Sequence, residues 1–599
     1  MDFSFDYNKP KNRSILTELN SEPISLYNCQ FYTPIYNTFF ELNESNFNSI
    51  LLNHHYTIEN IIKQENNNEI KANVLDLSGN LKELNIFTKF SPLLDPIKYL
   101  AGKYDICNNS IFKLPFLGAT NNDCHKKILD PDNAAYIDAF YSYLSSKLLH
   151  EHGIVHGLDC YGWVLGTKSK FYIDIIDDLE YLANSTFFRQ QDGSHFEIEN
   201  EYQSDLINHD SRSKKKKLKI ASRSNIEEEF VTINFDDITE IESLSSILVE
   251  SEDKLTAENL SKLELNNETL GFEKQTQTFE NVNKSNNHTN STSSSTCSSR
   301  SSNTIDDCER ENEINENNSD KKEDNDEECI DDSQYTDETS TASDDQVIAS
   351  VYNFPVQAIF LEKCEDTLDR LLADPDIDFG PEELLCALIQ VIMTLIIYQK
   401  CFGMTHNDLH TNNIMFIPTE KQYLYYKINN KHYKIPTFGR IFKIIDFGRA
   451  IYKFRGNLIC SDSFQTDGDA HSQFNFGSHF NKDRPRLEPN FSFDLCRLGC
   501  SIIDFLIDEL DDLKQTKCPV TKLIADWCTD DKGRNILWKS NGDERYPGFK
   551  LYKMISRSVS KHTPLAQLER PIIDRYVVAK KTIKKTQKII NIDNLPSYQ

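Results

Sequence analysis

The sequence predicts an α+β fold of two lobes, a smaller one rich in strands and a larger helical one, with a long insertion that has no core-forming pattern. Three observations predict it. Runs with β character come first and helical patterns second, the order expected of an α+β chain rather than an alternating α/β one. The longest apolar run, Leu384 to Tyr398, is shorter than the roughly 20 residues that span a bilayer and holds Gln390 and Thr394, so it reads as a buried core helix. Between the two regions, residues 190–345 are rich in Ser, Asn, Asp and Glu and poor in aromatics, a composition that cannot bury enough apolar surface to fold.

Taken in order, residues 1–65 read as an N-terminal extension and 66–189 as the small lobe. Ile70 to Phe90 carries two β-rich runs joined by Ser78-Gly79-Asn80, a hairpin signal that puts Lys89 near the end of the second strand. Asp130 to Gly153 has apolar residues at Ile137, Phe140, Tyr141, Leu144 and Leu148, the spacing of a core-facing helix, with Asp130 or Asp132 as its cap and Gly153 as its stop. IVHGLDCYGWVLG and KFYIDII read as strands. After the insertion, residues 346–363 contain a buried strand, Phe354 to Lys363. The larger lobe, 364–578, opens with a helix that starts at Pro381 and ends at Gly403. Within it, YLYYKINNKHYKIP reads as a hairpin turning at Asn429-Asn430. Residues 579–599 read as a basic C-terminal tail.

Charge narrows the function classes. The chain has 599 residues, 65 Lys and Arg against 93 Asp and Glu, and a net charge of -28. The stretch from Ser301 to Ser350 alone holds 18 acidic and 3 basic residues, a net of -15, so the folded remainder is only mildly acidic. This balance argues against direct nucleic-acid binding, because phosphate repels a net negative surface. The N-terminus lacks a basic region followed by an apolar core, so no secretory signal is expected. The 15 cysteines include no C-x-x-C pair and read as reduced thiols of a cytosolic or nuclear protein. The basic run RSKKKKLK, Arg212 to Lys219, suits either nuclear import or a merely solvated surface.

The chemistry lies after the buried helix. THNDLHTNNIMF places His406, Asp408 and Asn413 in the spacing H-x-D-x-x-x-x-N, and KIIDFGRA places Asp446, Phe447 and Gly448 at the end of an apolar strand. Phosphoryl transfer depends on positioning and charge neutralisation. It needs a carboxylate at the acceptor hydroxyl, an amide oxygen and a second carboxylate on Mg²⁺, and a Lys on the nucleotide phosphates. Asp408, Asn413, Asp446 and Lys89 supply that set.

With these motifs the chain resembles the eukaryotic-type protein kinase superfamily, and within it the serine/threonine protein kinases of giant DNA viruses, in which HNDLHTNN, IIDFGRA and FDLCRLGC occur together. The resemblance runs from about Ile70 to about Val578. It implies a two-lobed kinase-like fold, ATP and Mg²⁺ as cofactors, Asp408 as catalytic base and Asn413 and Asp446 as metal ligands. His410 stands where serine/threonine kinases carry Lys and would donate to the γ-phosphate. His406, Phe447 and Gly448 would support the site, and Asp494 in DLCRLG would hold the catalytic-loop backbone. Lys89 would bind the α and β phosphates with Asp138 as its partner on the next helix, against the plain alternatives of a solvated Lys and a surface Asp. Leu361, Glu362 and Lys363 would form the hinge that meets adenine.

Departures from the pattern matter too. No G-x-G-x-x-G precedes the hairpin, so the phosphate cover is either absent or built from other residues, with the Ser78-Gly79-Asn80 turn as the candidate. Asn407 replaces the Arg that pairs with a phosphorylated activation loop, so activation through that contact is not expected. The resemblance implies a host or viral protein substrate, no membrane partner, and action in the host cytoplasm or viral factory. A pseudokinase scaffold and a small-molecule kinase of the choline or aminoglycoside type are the alternatives.

Overall fold

The computed structural model describes residues 4–10, 12–198, 347–507 and 510–599. Most of the expected unstructured insertion, and the basic run 212–219 within it, lies outside the described residues. The strand-rich part is built on a seven-stranded antiparallel sheet: β1 (Leu26–Gln30), β2 (Tyr56–Gln64), β3 (Glu69–Asp76), β4 (Leu81–Pro92), β5 (Cys160–Asp174), β6 (Phe196–Ile198) and β7 (Ile348–Glu362). Its order is β1-β5-β7-β4-β3-β2, with β6 also paired to β7. The first half of β5, Cys160 to Gly166, and most of β7 are buried on both faces, whereas β5 from Thr167 onward alternates.

Several boundaries differ from expectation. The N-terminal 65 residues are not a mere extension, because β1 and β2 both join the sheet, β1 on β5 and β2 on β3. The two strands expected around residues 154–176 are one continuous strand, β5, and Ile154 to Asp159 form the loop before it. Order also continues past 190, since β6 pairs with β7 through Ile198 and Ala349.

The helix α1 (Ala134–His152) follows β4 and packs on the sheet. Its cap is Asn133, whose side-chain oxygen accepts from Ala135 N, and not Asp130 or Asp132. Gly153 ends it at φ 67°, the left-handed conformation that glycine adopts without strain. Every residue from Ala135 to Leu148 is buried, so the apolar stripe marks only one of several covered faces. That enclosure is why Asp138, a polar position beside the stripe, lies inside the protein.

The helical part is organised around α2 (Pro381–Phe402), whose Pro381 start and Gly403 stop follow the expected asymmetry. By length and composition α2 could cross a membrane, but 94% of its most apolar window is buried in the protein, which makes it a core helix. α3 (Phe493–Ile502), α4 (Pro519–Trp527) and α5 (Lys550–Ser558) complete the scaffold. β8 (Ile414–Pro418), β9 (Tyr423–Ile428), β10 (Lys431–Pro436) and β11 (Arg440–Ile444) follow α2. β9 and β10 turn at Asn429 and Asn430, both with positive φ, which Asn tolerates better than most side chains. The basic end of the chain is not a loose tail. β12 (Val577–Val578) pairs with β10, β13 (Ile589–Asn591) pairs in parallel with β9, and Tyr598 N donates to Cys401 O at 2.7 Å.

Candidate active site

One strand pairing assembles most of the site. β8 and β11 run antiparallel with Ile414 opposite Ile444, so Asn413 and Ile445 are neighbours, and Ile445 N donates to Asn413 O at 3.0 Å. Residues more than thirty positions apart in the chain are thereby set side by side. The His406 ring nitrogen Nε2 adds a second tie, 2.9 Å from Ile445 O.

Lys89 on β4 is buried, and its Nζ lies 2.7 Å from Asp138 Oδ2 and 2.9 Å from Asp446 Oδ1. The other oxygen of Asp138 accepts from Phe447 N at 2.8 Å, so α1 grips the backbone beside Asp446 as well as Lys89. Burial raises the Asp446 carboxyl, but the Lys89 ammonium outweighs it and pulls the group down to about 2. Asp138 moves the other way, pushed up by burial and by Asp446 against the pull of Lys89. Phe447 is enclosed by aromatic rings, its centroid 4.5 Å from Tyr141 and 5.7 Å from His406, which locks the Asp446 backbone at φ 63°.

The loop bearing Asp408 is held from below by α3. Asp494, fully buried in the first turn, accepts from His406 N at 2.9 Å and Asn407 N at 2.8 Å. Asn407 adopts φ 64° and spends its amide on the carbonyls of Thr405 and Arg449, at 3.1 and 2.9 Å, tying its own loop to the segment after Gly448. Asn413 Nδ2 donates to Asp408 O at 2.9 Å and meets His410 Nε2 at 3.1 Å. The latter contact needs an unprotonated Nε2, and burial lowers His410 to about 4, so the ring is neutral near pH 7. His410 therefore brings a donor, its Nδ1–H, rather than the positive charge of a Lys.

The Asp408 carboxylate is almost enclosed. Oδ1 accepts from the Tyr552 hydroxyl at 2.8 Å, and Oδ2 lies 3.4 Å from Arg449 Nη1. Burial raises Asp408, but Arg449, His410, Arg497 and the Tyr552 hydroxyl together hold it below the usual carboxylate range. Arg449 also pairs with Asp469, at 3.2 Å through Nε. Arg449, Tyr552 and Arg497 were not found from the sequence. Arg449 stood directly after Gly448 as a readable cue, whereas nothing in the spacing links Tyr552 to the loop.

A second tie joins α1 to the segment after Gly448. Asp462 accepts from Ala134 N at 3.0 Å, forms an ion pair with Lys127, and donates its own N–H to Asp132 O at 2.7 Å.

Two expected parts sit elsewhere. Leu361 and Glu362 belong to β7, with Leu361 opposite Phe87 and Cys160, and Glu362 N donates to Asp159 O at 2.9 Å. Their backbone is committed to the sheet, and the unpaired connection starts at Lys363, whose ammonium meets Glu69 at 2.8 Å. The Ser78-Gly79-Asn80 turn is also wrongly placed for a phosphate cover. It lies beyond Leu81, eight residues along β4 from Lys89, or about 26 Å at strand rise. The turn near Lys89 is Glu65-Asn66-Asn67-Asn68, where Asn68 O accepts from Thr88 N at 2.6 Å.

Among the described residues no group of three or more His, Cys, Asp or Glu side chains is arranged to hold a metal by itself. Asp446 and Asn413 nevertheless suit Mg²⁺, a hard cation that takes oxygen ligands and usually shares them with water and phosphate. With the Asn413 nitrogen occupied by Asp408 and His410, its carbonyl oxygen is the atom left to face a cation.

No protein-family profile matches the chain. The chain is 35% identical over 99 residues to a probable serine/threonine-protein kinase of Dictyostelium discoideum, a match that covers 16% of this chain and 8% of that protein. The similarity supports a kinase-like relationship over that stretch and extends no further.

Proposed function

We propose that the protein is a protein kinase that transfers the γ-phosphate of ATP to Ser or Thr hydroxyls, with a two-lobed kinase-like fold. The observation that carries this reading is the convergence of Lys89, paired with Asp138 and Asp446, with the loop holding Asp408 and Asn413, which is tied to Ile445 beside Asp446. Lys89 would meet the α and β phosphates. Asp408 would take the proton of the acceptor hydroxyl as its oxygen bonds to the γ-phosphorus, while the β–γ bridging bond breaks and its electron pair leaves on ADP. His410 would donate from Nδ1 to a γ-phosphate oxygen. Asp446 and Asn413 would hold Mg²⁺, which supplies charge neutralisation on the phosphates. The motif resemblance carries the viral setting and a host or viral protein substrate as part of the same proposal.

The test is transfer of labelled γ-phosphate from Mg-ATP to protein by wild type and by Asp408→Asn. Loss of a positioned base lowers turnover by about 10² to 10⁴. The identity of the labelled residue separates Ser/Thr from Tyr, and an unchanged rate in the variant removes Asp408 from the chemistry. A non-catalytic scaffold is the second reading, favoured by the glycine-free turn Glu65 to Asn68 beside Lys89. Absence of both ATP binding and transfer would place it ahead of the first.

A further inference from the structure

We propose that Tyr552 is the positioning residue of Asp408, a role that rests on the kinase reading above. Tyr552 lies on α5, 144 residues from Asp408, and its hydroxyl stands 2.8 Å from Asp408 Oδ1 and 2.9 Å from Arg497 Nε. A guanidinium can only donate and an ionised carboxylate can only accept, so Arg497 donates to the hydroxyl oxygen and the hydroxyl proton points at Asp408. The direction of the chain of hydrogen bonds is therefore set by chemistry alone.

The ring that carries this hydroxyl cannot move easily. Tyr552 is 1% exposed, with the guanidinium of Arg497 5.2 Å from its ring centroid and that of Arg449 5.7 Å away. Phe549 stacks on it at 5.2 Å and Phe493 approaches at 6.1 Å. Arg497 shares α3 with Asp494, which holds the backbone of His406 and Asn407. One helix thus fixes the loop twice, its backbone through Asp494 and its carboxylate through Arg497 and Tyr552.

The consequence is a fixed carboxylate rotation. With Oδ1 anchored by Tyr552 and Oδ2 beside Arg449 at 3.4 Å, the Asp408 side chain is still 15% exposed, and each carboxylate oxygen has a second acceptor site for an incoming hydroxyl. A proton acceptor must lie within hydrogen-bond reach of its proton, and a misplacement of about 1 Å can cost on the order of 10²-fold. Tyr552 acts through Asp408 and touches neither nucleotide nor acceptor in this scheme.

Tyr552→Phe in the full chain tests the proposal, since it keeps the ring and removes only the hydroxyl. Expected are a thermal midpoint lowered by no more than a few degrees, since Arg497 Nε and Asp408 Oδ1 each lose one buried partner, an unchanged KM for Mg-ATP and protein substrate, and a kcat lower by about tenfold, the scale of one hydrogen bond to a charged group. In an Asp408→Asn background the same change should add no further loss. A wild-type kcat in Tyr552→Phe, a loss confined to KM, or full additivity with Asp408→Asn would each overturn it. A second readout needs no turnover. The sheltered Tyr552 hydroxyl proton should give a slowly exchanging NMR resonance that disappears in Tyr552→Phe and shifts in Asp408→Asn. If wild type transfers no phosphate, the kinase reading fails while this resonance still decides the contact, and a resonance unmoved by Asp408→Asn sinks it.

Discussion

Lys89→Met, which keeps the length of the side chain and deletes its charge, probes the centre of the site. In the native protein Lys89 separates two carboxylates, Asp138 and Asp446, at 2.7 and 2.9 Å. Removing it leaves two like charges side by side, Asp138 buried and Asp446 about a fifth exposed, and breaking a fully buried ion pair costs about 3–5 kcal/mol, so the loss here lies at or below that range. Part of that cost follows from Asp446 alone. Its shift from 3.8 to about 2 corresponds to about 2 kcal/mol, at about 1.4 kcal/mol per unit. The sign follows from the direction. A depressed carboxyl stabilises the fold above its unfolded value and loses that contribution as pH falls through the folded value. Asp138, already raised by burial, is pushed further when Lys89 no longer holds it down, so its ionised form costs more in the variant at neutral pH. Urea unfolding without metal or nucleotide should therefore show wild type more stable than Lys89→Met by about 2–5 kcal/mol near pH 7, with the gap starting to narrow above pH 4, where Asp138 takes up its proton first in the variant, and closing as pH falls to about 2. The same variant should lose phosphate transfer by about 10² or more, as when an electrostatic donor is removed from a reacting oxygen. A stability gap that does not change with pH would refute the placement of Lys89 between two ionised carboxylates.

Asp494→Asn leaves one acceptor for two backbone donors, those of His406 and Asn407, in a fully buried position. It should cost about 1–3 kcal/mol by chemical denaturation and lower kcat in parallel; wild-type stability would refute the anchoring role. Replacing residues 199–346 by a Gly/Ser linker of about ten residues should raise stability by about 2 kcal/mol, because loop-closure entropy changes by about 0.6 kcal/mol per doubling of length and this shortening is about four halvings. Unfolding of that variant at a much lower urea concentration would show that the replaced residues hold the sheet together.

The residues most legible in the sequence were those whose roles follow from short spacing. His406, Asp408 and Asn413 fall within eight positions of one another, Asp446 to Gly448 are contiguous, and the structure gathers both groups with Lys89 and Asp138. The errors have physical causes. β2 carries two register shifts, after Ile58 and after Ile61, which break the period-two alternation that would have marked it as a strand. β13 is three residues long and follows a run of exposed lysines, so charge hid it. The Ser78-Gly79-Asn80 turn was a correct hairpin signal, but the pattern alone cannot say which end of a hairpin faces a cleft. Arg497 and Tyr552 were out of reach because their meeting depends on the packing of α5 on α3, a tertiary fact with no sequence period.

The same topology explains how one site tolerates so long an interruption. Lys89 and Asp138 precede residue 199, and Asp408, Asn413 and Asp446 follow residue 346, yet both halves are joined by β7, which pairs with β4 on one side and β5 on the other. The chain leaves the sheet after Ile198 and re-enters at Ile348, and Ile198 lies opposite Ala349 in the same ladder. Exit and return are therefore neighbours. Lys89 lies opposite Ile359, ten residues further along β7 from Ala349, or about 33 Å at strand rise. Length and charge can change at one end of β7 while its other end keeps Lys89 in register with the helix and loop that complete the site.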